Sequence, residues 1–421
     1  MRSALVLGLG LSGKAVVPLL IAQGDRVFGY DDQIPLDQLE REKFEGMELL
    51  SNQQDVPWAE IDLLVPSPGI SPRHPCYQKA RSLGIEIKGE AELALRRLDQ
   101  PAVAITGTNG KTTVTLLVAH ILREAGIKAK ALGNVGEPLS TYLINPEKES
   151  VAVVELSSFQ LETLSTPAFD AAALLNITPD HLDRYATLED YARTKCHLQS
   201  LLKPMASFFV SQPVVDQFSS FLQPGYQVYS AEKIEEILPV DYRSWGAHDV
   251  DNAMAAWALC KPFEVTAESF RRALCSFQKP KHRIEFVRSI QGVHFFDDSK
   301  GTNIDAVMKA VEAMKGPVIL IVGGVDKGAS YFPWKEAFRG KVKRIIGIGQ
   351  AAPKIFRELN TDFEMEIVDS LSSAVENSMA YADEGDHVLL SPGCSSYDMF
   401  RDYAHRGEEF QRSVFSLREG G

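Results

Sequence analysis

Cysteine is scarce: five residues, at positions 76, 196, 260, 275 and 394, with no Cys-x-x-Cys among them. An odd, scattered set excludes a disulfide framework and a zinc site of paired cysteines, and it fits a reducing compartment. Long apolar runs are missing as well, since none reaches the roughly 18 residues of a membrane span. The opening Ala4-Leu-Val-Leu-Gly-Leu-Gly10 is broken by glycines and followed by Lys14, so it reads as a first strand and its loop rather than a secretion signal. Positive charge is in deficit, with 44 Lys and Arg against 56 Asp and Glu and a formal net charge of −12. That balance argues against a dedicated nucleic-acid binder. The dense basic stretches, 279–283 and 341–344, are short and read as solvated faces. An acidic chain that handles an anionic ligand must gather positive charge locally, from lysines, helix ends and metal ions. Internal repeats and low-complexity tracts are absent too.

What is present is ordinary globular material: 421 residues, 45% hydrophobic and 24% charged, enough for about three domains. The chain is organised around Gly107-Thr108-Asn109-Gly110-Lys111-Thr112-Thr113. An apolar, strand-like run from Pro101 to Thr106 precedes it, and Val114, Leu117, Val118, Ile121, Leu122 and Ala125 follow at the spacing of one helix face. A glycine-rich turn between a strand and a helix N-terminus offers unpaired backbone N–H groups and the positive end of a helix dipole to an anion. Lys111 can reach the outer phosphates of a nucleotide and the Thr112 hydroxyl can ligate Mg²⁺. Ala104 stands where the usual phosphate loop has its first glycine.

A second signal lies at the start, where Gly8-Leu-Gly10-Leu-Ser-Gly13 follows a strand and Asp31 and Asp32 end the next one, Arg26 to Tyr30. This is a Rossmann fingerprint with an acidic residue placed for a ribose. Alone it suits NAD as well as another ligand carrying ribose and pyrophosphate. Ser67-Pro68-Gly69 ends a further strand and forms a plausible ligand edge. In the middle of the chain, strand 151–154 delivers Glu155, a candidate magnesium ligand, and then Leu-Ser157-Ser. Another strand leads to Pro179-Asp180-His181, where the histidine suits a metal or a phosphate. Lys195, on the helix that follows Thr187-Leu-Glu-Asp190, reads from composition as an exposed helix lysine. In the last third, strand ends carry Asp297-Asp298-Ser-Lys300-Gly-Thr302-Asn303, Gly323-Gly-Val-Asp-Lys327-Gly328 and Ser391-Pro-Gly-Cys-Ser-Ser396, a receiver suited to carboxylates.

Taken together, the chain resembles the Mur ligases over essentially its whole length, and within them the branch that adds D-glutamate. The resemblance rests on Gly-Thr-Asn-Gly-Lys-Thr-Thr at 107–113, Gly-Asn-Val-Gly at 133–136, Glu-Leu-Ser-Ser-Phe-Gln-Leu-Glu at 155–162 and Asp-His-Leu-Asp-Arg-Tyr at 180–185. It continues through Tyr191 and Lys195, His282-Arg283-x-Glu285, Asp298-Ser-Lys-Gly-Thr-Asn303 and Ser391-Pro-Gly-Cys. The phosphate loop and His-Arg-x-Glu are shared with folylpolyglutamate synthases; the stretch at 298–303 is the more specific. The resemblance implies three α/β domains, each on a mostly parallel sheet: a Rossmann-like domain at 1–93, a central P-loop ATPase domain at 94–279 and a Rossmann-like domain at 280–421. It implies ATP-dependent amide formation between UDP-N-acetylmuramoyl-L-alanine and D-glutamate through an acyl phosphate. By the same resemblance, Gly107, Thr108, Asn109, Gly110, Lys111, Thr112, Thr113, Asn252, Arg283 and Asp298 contact ATP. Thr112 and Glu155 hold one Mg²⁺, while His181 and a carbamylated Lys195 hold a second. Leu11, Ser12, Asp31, Ser67, Pro68 and Gly69 take the uridine diphosphate, and Asn134, Ser157 and His181 take the reacting end of that substrate. Lys300, Thr302, Lys327, Ser396 and the backbone near Tyr403 receive D-glutamate. Lys111, His181 and Lys195 are the catalytic set. A cytoplasmic monomer, without nucleic acid or membrane insertion, is the accompanying expectation. Two departures stand out: Asp249 where the family usually has asparagine after His248, and Gly301 where alanine is common.

Overall fold

The computed structural model describes residues 1–41, 45–229, 234–239, 242 and 245–417. These form two compact units, Met1–Ile177 with Tyr191–Phe277, and Thr178–Asp190 with Gln278–Gly421.

The first unit holds two parallel sheets. Among the described residues one has five strands in the order Met47–Leu49, Arg26–Tyr30, Ser3–Leu7, Leu63–Pro66, Glu86–Ile87. The other has six, ordered Tyr226–Val228, Leu202–Val210, Phe169–Leu174, Ala102–Thr106, Val151–Glu155, Ala129–Gly133. Ala102–Thr106 is central and buried throughout, which explains its continuous apolar sequence: a strand covered on both faces has no polar side to alternate with. The helix Lys111–Glu124 presents Val114, Leu117, Val118, Ile121 and Leu122 to the core, as its period requires. The helix Ala247–Cys260 packs on it with Ala253, Ala255, Ala256 and Ala258, small residues that suit close helix–helix contact. Leu202–Val210 was not legible as a strand because Lys203, Pro204 and the exposed Met205 open it and the register slips between Leu202 and Ser207.

The two sheets of this unit are fastened by buried carboxylates on the short helix Glu90–Leu95. Glu90 accepts from the Ser140 backbone N–H at 2.7 Å and from its hydroxyl at 2.6 Å. Glu92 accepts from the N–H and hydroxyl groups of both Ser165 and Thr166 at 2.8–3.1 Å and pairs with Arg96 at 3.0 Å.

The second unit carries a six-stranded sheet, among the described residues, in the order Glu285–Ile290, Val293–Asp297, His387–Leu390, Val318–Gly323, Val342–Ile348, Glu364–Ile367. Only the first pair is antiparallel. That edge hairpin turns at Gln291 (φ 49°) and Gly292 (φ 78°), two successive left-handed residues of the kind that match strand twist in a tight hairpin. Apolar clusters cover both faces of the sheet, one around Val307, Trp334 and Ile355, the other around Ala374, Phe410 and Val414. No helix among the described residues is long and apolar enough to cross a membrane.

Burial works to raise the pKa of Glu92, but its four hydrogen bonds outweigh burial and hold it down to about 2. A carboxylate held below its unfolded value contributes stability that is complete above about pH 4.5 and lost as pH falls towards 2. Glu92→Gln should therefore lower the unfolding free energy at pH 7 by about 2–3 kcal/mol and flatten its loss in acid. Denaturant titrations of both proteins from pH 7 to pH 3 check this; parallel curves contradict it.

Candidate functional site

In the first unit, the strand Ala102–Thr106 ends in a loop whose glycines adopt φ +156° at Gly107 and +85° at Gly110. A side chain at 110 would be strained and would meet Asn252 Oδ1 at 2.5 Å, so the glycine lets Asn252 approach the loop. The neighbouring strand Phe169–Leu174 supplies the clamp. Thr108 N–H donates to the Asn176 carbonyl at 2.9 Å, Asn109 N–H donates to Asn176 Oδ1 at 2.8 Å, and Asn176 Nδ2 donates back to the Asn109 carbonyl at 3.0 Å. Lys111 opens the helix and its Nζ donates to the carbonyls of Gly107 and Thr108 at 2.9 and 2.8 Å. Thr112 and Thr113 are buried in the first turn.

On the other flank the strand Val151–Glu155 delivers Glu155. Its Oε1 accepts from Asn134 Nδ2 at 2.7 Å, whereas its Oε2 is buried with no hydrogen-bond partner among the described residues. A buried, unsatisfied carboxylate oxygen is costly unless something binds it. Beside a phosphate loop it fits the hard-oxygen shell of a magnesium ion. Lys195 is not the exposed lysine that its composition suggested: it is 1% exposed, donates to the Gly107 carbonyl at 2.8 Å, and lies 4.6 Å from the centre of the Tyr191 ring. Ser157 caps the short helix Ser158–Leu161, accepting from Gln160 N–H at 3.2 Å and donating to Gln160 Oε1 at 3.0 Å.

The N-terminal fingerprint folds as a strand, a loop and a helix, Ser3–Leu7 followed by Leu11–Ala22. Leu11, 73% exposed, and Ser12 open the helix Leu11–Ala22. Asp31 braces the loop, accepting from Leu9 N–H at 2.6 Å and from Gln33 and Ile34 N–H at 2.8 Å. Ser67 donates to the Gly8 carbonyl at 2.7 Å, and the Ile70 N–H closes the Ser67-Pro68-Gly69 turn on the Ser67 carbonyl at 2.9 Å.

In the second unit, the loops after three adjacent strands converge. Val325 and Ser395 exchange backbone hydrogen bonds at 2.8 and 3.1 Å, stitching the loop of Lys327 to that of Ser396. Arg406, fully buried, ties two loops together: it donates to the hydroxyl and carbonyl of Ser299 at 2.9 and 2.8 Å and to the Cys394 carbonyl at 3.2 Å. Burial pulls its guanidinium down to about 10. Lys300 Nζ lies 4.9 Å from the centre of the Tyr403 ring, and Ser299 Oγ donates to the Tyr403 carbonyl at 2.8 Å. Lys327 Nζ reaches Thr302 Oγ1 at 3.3 Å and Asp180 Oδ1 at 3.0 Å. His181 has φ 56° and is partly exposed, its N–H donating to Asp180 Oδ1 at 2.9 Å.

In the basic stretch 279–283, Lys279 and Lys281 are exposed, as a solvated face requires, but the two residues after them are not. His282 is buried against Asp297, 2.7 Å from Nδ1 to Oδ2, and this hydrogen bond raises its proton affinity. Arg283 Nε is buried without a hydrogen-bond partner among the described residues, which suits a cation awaiting an anion. Asp298 accepts from the Ser391 hydroxyl at 2.6 Å. A Cβ at position 301 would overlap Asp298 Oδ2 and crowd Ser391 Oγ, so Gly301 matches this arrangement. Asn176, Asp180 and Arg406 were missed as site-building residues, since their partners are distant in sequence.

Residues 105–230 match the Mur ligase middle domain, residues 282–394 the Mur ligase glutamate ligase domain, and residues 2–89 the N-terminal domain of MurD-like Mur ligases. The UDP-N-acetylmuramoylalanine–D-glutamate ligase of Protochlamydia amoebophila is 43% identical, over 98% of both chains. The chain belongs to the Mur ligase family. The ligase of the same name from Chlamydia pneumoniae is 37% identical over 98% of both chains. Solved Mur ligases share the fold at lower identity. MurC from Thermotoga maritima has a TM-score of 0.61 at 17% identity, covering 99% of this chain and 100% of that one. MurF from Thermotoga maritima, in complex with ADP, has 0.60 at 14%, covering 99% and 96%.

Burial pushes Asp298 up to about 7, against the pull of Ser391 and Arg283. An acid raised above its unfolded value favours the fold while protonated, so its contribution is complete below about pH 4 and lost as pH climbs through 7. Asp298→Asn should melt near the wild-type temperature at pH 4 and several degrees above it at pH 8. An equal offset at both values in thermal melts contradicts the assignment.

Proposed function

We infer that this Mur ligase joins D-glutamate to UDP-N-acetylmuramoyl-L-alanine, with ATP cleaved to ADP and phosphate, in peptidoglycan precursor synthesis. Full-length similarity to D-glutamate ligases carries the reading. Residues 1–93 hold the uridine diphosphate, through Leu11, Ser12, Asp31 and the turn at 67–69. Residues 94–279 hold ATP, and residues 280–421 hold D-glutamate.

The terminal carboxylate of the first substrate attacks the γ-phosphorus of ATP, forming an acyl phosphate and releasing ADP. The amine of D-glutamate, once its ammonium has given up one proton, then attacks the acyl carbon, and the tetrahedral intermediate expels phosphate as the nitrogen gives up a second proton and keeps one in the amide. Every reacting partner is anionic, so this chain's residues act chiefly by positioning and charge neutralisation. The clamped loop at 107–110 and Lys111 cradle the phosphates, with Thr113 in the first turn. Asn252 and Asp298 contact ATP, and Arg283 neutralises phosphate charge. Asn134 and Ser157 align the reacting carboxylate. Thr112 and Glu155 would hold one Mg²⁺, and His181 and a carbamylated Lys195 a second; the ions supply neutralisation of the transferring phosphoryl group. The unpartnered Glu155 oxygen and the burial of Lys195 against the phosphate loop support these places. Lys300, Thr302, Lys327, Ser396 and the backbone at Tyr403 receive D-glutamate. The protein works as a monomer in the cytoplasm, where its nucleotide substrates are.

Phosphate release with ATP and UDP-N-acetylmuramoyl-L-alanine should require D-glutamate and fail with L-glutamate, L-alanine or meso-diaminopimelate. Turnover with a different amino acid keeps the mechanism and overturns the assignment of Lys300, Thr302, Lys327 and Ser396. Lys195→Ala should lose about 100-fold or more in kcat and regain part of it with a short carboxylic acid. Wild-type rates in that variant contradict the carbamate.

A further inference from the structure

Asp180 belongs to the segment Thr178–Asp190, which folds with the second unit. It is 5% exposed, and beside it lies a small cleft of about 10 Å³ lined by Asp180, Asn303, Ile304, Lys327 and Tyr331. Its Oδ1 accepts from His181 N–H at 2.9 Å and pairs with Lys327 Nζ at 3.0 Å, while Asn303 Nδ2 approaches Oδ2 at 3.4 Å. Lys327 reaches Thr302 Oγ1 from the same nitrogen at 3.3 Å. The other carboxylate on the cleft, Asp326, is committed to the Tyr331 hydroxyl and to Lys354, each at 2.9 Å.

A buried carboxylate and a lysine in direct contact are the mirror image of an α-amino acid, whose ammonium and carboxylate are joined through one carbon. We propose that Asp180 is a substrate-binding residue that receives the α-ammonium of the incoming D-glutamate, while Lys327 and Thr302 take a carboxylate. The inference rests on reading the second unit as the amino-acid receiver. The Lys327–Asp180 pair is then the receiver closed on itself, and the ligand exchanges one internal ion pair for two with the substrate. Asp180 also accounts for selection of an amine: a dicarboxylate lacking the amino group would leave a buried charge without its counterpart.

The test uses phosphate release by the full chain at saturating ATP and UDP-N-acetylmuramoyl-L-alanine, with D-glutamate as substrate and glutarate, its amine-free analogue, as competitor. In the wild-type protein the inhibition constant of glutarate should exceed the KM for D-glutamate about tenfold or more. In Asp180→Asn the KM for D-glutamate should rise about 10- to 100-fold, with glutarate within about threefold of its wild-type value. Equal weakening of both ligands overturns the proposal, because Asp180 would then only hold Lys327 in place. An unchanged KM for D-glutamate overturns it too. If the variant does not fold, the wild-type comparison decides, and glutarate binding as tightly as D-glutamate overturns it. Wild-type turnover with a different amino acid fails the proposed function instead, and the same comparison with that amino acid and its amine-free analogue then reads Asp180.

Discussion

The backbone of residues 107–110 keeps its shape through hydrogen bonds made outside the loop. Asn176 supplies them, taking the N–H groups of Thr108 and Asn109 through its carbonyl and side chain and returning one donor to Asn109. The loop is thereby held before any nucleotide arrives, so little ordering is left to be done on binding. Lys195 adds to this arrangement from a helix far along the chain by donating to the Gly107 carbonyl. Glu155 completes it with an oxygen that has no hydrogen-bond partner among the described residues.

All three sheets use one geometric rule. In each, candidate ligand residues follow the carboxyl ends of adjacent strands, where an open α/β sheet leaves a crevice. In the N-terminal sheet, Ser3–Leu7 lies between the strands that lead to Asp31 and Ser67. In the central sheet, Ala102–Thr106 lies between those leading to Asn176 and Glu155. In the third sheet, His387–Leu390 lies between those leading to Asp298 and Lys327. A chain with a formal net charge of −12 concentrates cations at these edges: Lys111, Arg283, Lys300 and Lys327.

The phosphate loop, the fingerprint and the strand-end loops were legible in sequence because each is local. A strand, a glycine turn and a helix face are written within some twenty residues. What was hidden depends on distance along the chain. The pairing of Asp180 with Lys327 spans the C-terminal unit, and a single sequence does not record which strand ends are neighbours. Lys195 and Arg406 did leave a trace. Lys195 stands four residues after the buried Tyr191, and Arg406 four before the buried Phe410, so each lies on an apolar helical stripe. A long cation on such a stripe is either the end of the stripe or a buried functional group, and periodicity alone does not separate the two. The edge hairpin was missed because Gln-Gly is a weaker turn signal than Asn-Gly, although the backbone it adopts is the same kind.

The central claim is that the substrate carboxylate is activated by taking the γ-phosphoryl group at the clamped loop. It is tested most directly by placing a heavy-oxygen isotope in the carboxylate of UDP-N-acetylmuramoyl-L-alanine and examining the phosphate released during one turnover with D-glutamate. An acyl phosphate must carry one labelled oxygen into that phosphate, so label should appear there in step with amide formation. Phosphate released without label, while the amide forms, contradicts the account.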